Sequence, residues 1–61
     1  MYSIEITNAR YQTIDVRNGY SALEVDDAFQ ACVDYYGDGT YSGGRVAMIN
    51  PDGYIEESSR I

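Results

Sequence analysis

Between Tyr2 and Thr7 apolar and polar side chains alternate, with Tyr2, Ile4 and Ile6 set against Ser3, Glu5 and Thr7. A period of two belongs to a strand with one buried face. Gln12 to Arg17 repeats the alternation through Ile14 and Val16. Setting Ile6 opposite Ile14 and Ile4 opposite Val16 gives a hairpin whose loop is Ala9, Arg10 and Tyr11, with every apolar side chain on one face. A slip of one residue would turn one strand's apolar set outward.

Asn18-Gly19 punctuates the end of the second strand, and Ser21-Ala22-Leu23-Glu24 has the form of a capping box opening a helix, in which the Ser21 hydroxyl accepts from the Glu24 amide. Downstream, Val25, Ala28, Phe29, Cys32, Val33 and Tyr36 recur at steps of three and four, which places them on one stripe. The spacing predicts a helix from Ala22 to Tyr36, stopped by Gly37 in a left-handed conformation.

Asp38 to Gly44 holds three glycines in seven residues and reads as a flexible connection. Arg45 to Asn50 and Tyr54 to Glu57 then form strands joined by Asn50-Pro51-Asp52-Gly53, a sequence suited to a type I turn and a glycine bulge. Pairing Ile49 with Ile55 and Ala47 with Glu57 points Ala47, Ile49 and Ile55 at the helix. The expected fold is ββαββ, an α+β domain over residues 1–61 in which one helix covers one face of a four-stranded antiparallel sheet. The other face would show Glu5, Thr7, Thr13, Asp15, Val46, Met48 and Tyr54. Val46, Met48 and Tyr54 are more apolar than a solvent face requires, which makes them a candidate secondary contact or homodimer seam, although single exposed apolar residues are common.

Size and charge narrow the function. Sixty-one residues support one thin core, and a catalytic cavity inside it would be costly in stability. Ten acids face four bases, all arginine, and the net charge is −6. Such a chain repels phosphates, so direct binding of nucleic acid or an anionic membrane is disfavoured and basic protein surfaces are its natural partners. The apolar runs are too short for a membrane-spanning helix, Met1 to Arg10 do not resemble a secretion leader, and a single cysteine fits a reducing compartment. The expected location is the cytoplasm.

Catalytic equipment is sparse. Histidine and lysine are missing, and Cys32 falls on the apolar stripe, where a cysteine is ordinarily a small core residue. Asp34, Asp38 and Gly39 match places of a calcium loop, but Tyr36 and Arg45 occupy ligand positions, and no cofactor is expected. Gly37, Gly39, Gly43 and Gly44 lack both the spacing and the lysine of a phosphate loop.

The acids are more informative. Glu24, Asp27 and Asp34 share one outward side of the helix, with Asp26 alongside and Asp38 just past its end. Glu24 to Asp34 spans ~15 Å at the helical rise, a length over which a nucleic-acid strand shows several phosphates. Charges on an outer helix face are usually there for solvation, and acids near a helix N-terminus also complement its dipole. Against that plain account, Lys and Arg are absent from Ser21 through Gly44, whereas a solubilising helix usually mixes signs. Tyr35 and Tyr41 flank the acids and add interface-type side chains, while Tyr36 belongs to the core stripe.

A tiny, acidic, tyrosine-rich chain carrying Glu24, Asp26, Asp27, Asp34 and Asp38 resembles, in overall character, the phage-encoded inhibitors of host defence nucleases, the anti-CRISPR proteins and other DNA mimics. The resemblance implies a stoichiometric inhibitor acting in the host cytoplasm. Its carboxylates would occupy the Lys/Arg-rich site of a nucleic-acid-binding protein or nuclease complex. The alternative is a non-catalytic structural or adaptor module, as a monomer or a homodimer.

Overall fold

The computed structural model describes residues 1–61 and has the order β1 (Tyr2–Thr7), β2 (Thr13–Tyr20), α1 (Ala22–Tyr36), β3 (Arg45–Ile49) and β4 (Ile55–Arg60). The strands make one antiparallel sheet in the order β2-β1-β3-β4, and the single helix completes the ββαββ fold. β1 is central and pairs on both sides. Helix α1 links the two hairpins and lies over one face.

Helix α1 starts as its capping box dictates. Ser21 Oγ accepts from the Glu24 amide at 3.3 Å, and Glu24 Oε1 accepts from the Ser21 amide at 3.1 Å. The end differs from expectation: Gly37 has a φ of −85°, so it is not left-handed. Glycine is required there for space, because a Cβ would lie 2.5 Å from the Val33 carbonyl oxygen. The first left-handed residue after the helix is Gly39, at φ 102°.

The two hairpins are built alike. Asn8 and Asn50 each open a loop in which the side-chain oxygen accepts two amides: Arg10 at 2.9 Å and Gln12 at 3.0 Å in the first, Asp52 and Tyr54, both at 3.0 Å, in the second. The Asn amides donate to the Gln12 and Tyr54 carbonyls at 2.9 and 2.8 Å, and the Asn carbonyls accept from Tyr11 and Gly53 at 3.0 and 2.9 Å. Tyr11 and Gly53 are correspondingly left-handed, at φ 62° and 89°. The expected loops are therefore present. The next pairs, Thr7–Thr13 and Ile49–Ile55, also stay in the simple register.

A bulge follows at the same place in each hairpin. After it Ile6 pairs with Asp15 rather than Ile14, Ile4 with Arg17 rather than Val16, and Ala47 with Ser58 rather than Glu57. One extra residue inverts the side-chain alternation beyond it. Asp15 and Arg17 thus turn toward the helix, and Val16 faces outward, half exposed. Ile14, at the first bulge, is partly buried and still packs against the core.

Pairing of β3 with β1 sets Ile6 opposite Val46 and Ile4 opposite Met48, so these four share the helix face. They meet Val25, Phe29, Cys32 and Tyr36 in one buried cluster. The expected orientation of β3 is thereby reversed: Val46 and Met48 point at the helix, and Ala47 and Ile49 point away. Burying an Ile or Val side chain contributes about 1.5–3 kcal/mol. Ile4, Ile6 and Val46 together therefore outweigh the capping box, worth about 1 kcal/mol.

Candidate binding surface

All the carboxylates singled out from the sequence are exposed, but they are not equally free. Glu24 is held in the capping box, and its bonds with Ser21 keep its carboxyl below the ordinary range. Asp34 Oδ1 accepts from Gln30 Nε2 at 3.0 Å, one helical turn away. Asp38 closes a turn by accepting the Thr40 amide at 2.9 Å, a bond that likewise lowers its pKa. Asp26 and Asp27 make no side-chain bond within the protein. The helix therefore shows two unengaged carboxylates at its start and two locally anchored ones toward and beyond its end.

Tyr35 and Tyr41 are gathered at that second end. Tyr35 packs edge-on against Tyr36 with ring centroids 4.9 Å apart, and Tyr41 leans on Tyr36 at 5.5 Å. Tyr36 is buried while Tyr35 is 68% exposed, so the core ring acts as a fixed backing for the outer ones. Rigid aromatic side chains lose little entropy on binding, which suits them to contact.

Behind this group lies a polar set that alternation alone had turned outward. Tyr36 Oη donates to Asp15 Oδ2 at 2.7 Å, Arg17 Nε donates to the same oxygen at 3.1 Å, and the Arg17 guanidinium stands 5.8 Å from the Tyr36 ring centre. The Tyr36 bond, followed by Arg17, holds the Asp15 carboxyl below its ordinary value. Arg17 also supplies a cation near a helix end whose last turn has no basic residue. The signal that could have revealed these residues was a second asparagine: Asn8 stands where Asn50 stands, and the same loop brings the same bulge.

The proposed seam of Val46, Met48 and Tyr54 is not a surface. Val46 is fully buried and Met48 is 3% exposed, both beneath α1, because their pairing with Ile6 and Ile4 aligns the larger apolar side chains on the helix face. Tyr54 alone is exposed, in the β3–β4 loop. Cys32 is fully buried, and burial raises its thiol pKa. No group of three or more Cys, Asp or Glu side chains is placed to hold a metal ion. No helix is long and apolar enough to cross a membrane.

Comparison with known protein families, curated proteins and solved structures gave no match for this chain.

Proposed function

We propose that this protein is a non-catalytic binding protein whose acidic helix and adjoining tyrosines dock on a basic, phosphate-recognising surface of a larger protein and inhibit it by competing with nucleic acid. This is the mode of action implied by its resemblance to small acidic anti-CRISPR and DNA-mimic inhibitors. The observation behind it is a rigid helix that exposes Glu24, Asp26, Asp27 and Asp34 with no cation from Ser21 through Gly44. Tyr35 and Tyr41, backed by a buried ring, supply apolar contact beside the charges. Charge steering would speed association and make it sensitive to salt. The adaptor reading loses its seam with the burial of Val46 and Met48.

The test begins with the immobilised chain and a bacterial lysate. The retained protein should be a nuclease or nucleic-acid-binding complex, released by added DNA and by rising salt. Asp27→Arg with Asp34→Arg should abolish retention while leaving the circular dichroism spectrum and melting temperature in place. A partner that is indifferent to DNA and to both charge reversals would overturn the reading.

A further inference from the structure

Arg17 takes part in the chain's one ion pair, with Asp15; the other arginines have no carboxylate partner. Two of those, Arg45 and Arg60, sit directly opposite each other on β3 and β4. Like charges at such a position oppose strand pairing. In a chain with ten acids, this end of the sheet thus keeps two cations side by side and unneutralised. Glu5, two residues before Thr7 on β1, is already engaged as acceptor for the Thr13 hydroxyl at 3.2 Å.

Both arginines help to line the one cavity of the molecule, about 70 Å³, together with Thr7, Asn8, Tyr11, Gly43 and Gly44. That volume is several times the ~10–15 Å³ that accommodates one water molecule, and it suits an ion of a few heavy atoms. Its glycine wall is fixed. Gly44 is buried so tightly that a Cβ would lie 2.3 Å from the Thr7 carbonyl oxygen, and a Cβ on Gly43 would meet Ala9 Cβ at 3.0 Å. The Gly43 amide donates to the Ile61 carbonyl at 2.8 Å, and the Ile61 amide to the Gly44 carbonyl at 3.2 Å. These bonds tie the glycine connection to the residue after Arg60. On the rim, Tyr11 keeps an aromatic side chain at a left-handed position that its counterpart fills with Gly53.

We propose that this pocket binds a phosphate-type dianion, gripped by Arg45 and Arg60; the Thr7 hydroxyl on its wall already donates to the Arg45 carbonyl at 3.5 Å. Planar guanidinium forks match pairs of oxyanion oxygens. Two forks need more oxygens than a single carboxylate offers, and a tetrahedral dianion supplies them. A net charge of −6 repels a polyanion, so the ligand is a small anion or a single phosphoryl group.

Inorganic phosphate titrated into the isotopically labelled protein, at ionic strength held constant with chloride, should give saturable NMR shifts at the amides of Gly43, Gly44, Arg45 and Arg60. Arg45→Gln and Arg60→Gln should each weaken binding about tenfold or more. Neither change should lower the melting temperature without phosphate, since each relieves a repulsion. Phenyl phosphate separates two sources of the same chemistry: equal affinity assigns the site to the free ion, and a tighter fit assigns it to a phosphomonoester resting on Tyr11. Shifts that chloride reproduces, or variants that bind as well as the parent, would overturn the proposal.

Discussion

The Tyr36 hydroxyl, on the last residue of α1, donates to Asp15 Oδ2 on β2 across 2.7 Å. This bond ties the helix end to the edge of the sheet and fixes the ring against which Tyr35 and Tyr41 pack. Tyr36→Phe keeps the ring and removes the bond, so the melting temperature should fall by several degrees. The penalty should depend on pH with a definite sign. Asp15 has a lowered pKa, so its contribution is fully present above its unfolded value of 3.8 and is lost as pH falls through the folded value. Tyr36 has a raised pKa, chiefly through Asp15, so its contribution is present below 10.0 and is lost as pH rises through the folded value. Melting curves of both proteins should converge at either extreme; a gap constant with pH would exclude the bond as the cause.

Tyr11 holds a φ of 62° with its side chain 90% exposed. A non-glycine residue there costs roughly 1–2 kcal/mol, partly offset by the extra chain entropy of glycine in the unfolded state. Tyr11→Gly should therefore stabilise the protein by about 0.5–1 kcal/mol in urea unfolding. A loss of stability would mean that the exposed ring makes contacts worth more than the strain.

Gly44→Ala should destabilise by about 1–3 kcal/mol, the usual cost of overpacking, because the added methyl meets backbone rather than a movable side chain. Gly53→Ala meets no atom within 4 Å and bears only the strain of its positive φ. Urea midpoints compare the two, and a milder effect at Gly44 would contradict the packing described.

Charge removal should separate structural from binding carboxylates. Glu24→Gln weakens the capping box and should lower the melting temperature, because its charged form is stabilised by Ser21. Asp26→Asn with Asp27→Asn should leave the fold nearly as stable and, on the proposed function, reduce retention of a basic partner. Paired measurements of melting and partner retention test this division, and equal loss of partner retention in both variants would count against it.

Cys32 should resist alkylation in the native state, since its thiol is buried and held protonated by desolvation. Its reaction rate with a thiol reagent should rise with urea in step with unfolding. Fast modification in buffer would contradict the packing of the core.

Local chemistry made most of the architecture legible. The capping box, the stripe from Val25 to Tyr36 and the asparagine-led loops are decided within a few residues, and α1 occupies Ala22–Tyr36 as its periodicity requires. Strand orientation was less accessible: the asparagine-led loops signal the bulges, but the face that each strand buries is set by its pairing across the sheet. Ile14 and Val16 alternate as a buried face would, yet the fold prefers Val46 and Met48 under the helix and turns Asp15 inward, where Tyr36 and Arg17 satisfy it.

The sequence by itself determined the element order, the helix limits, the negative charge and its concentration on α1, since periodicity, caps and composition act along the chain. Tertiary structure alone decided which strand faces are buried, which carboxylates are already engaged, and that Arg45 and Arg60 stand side by side. Those depend on register, and a single extra residue in an antiparallel pair exchanges the two faces of a strand.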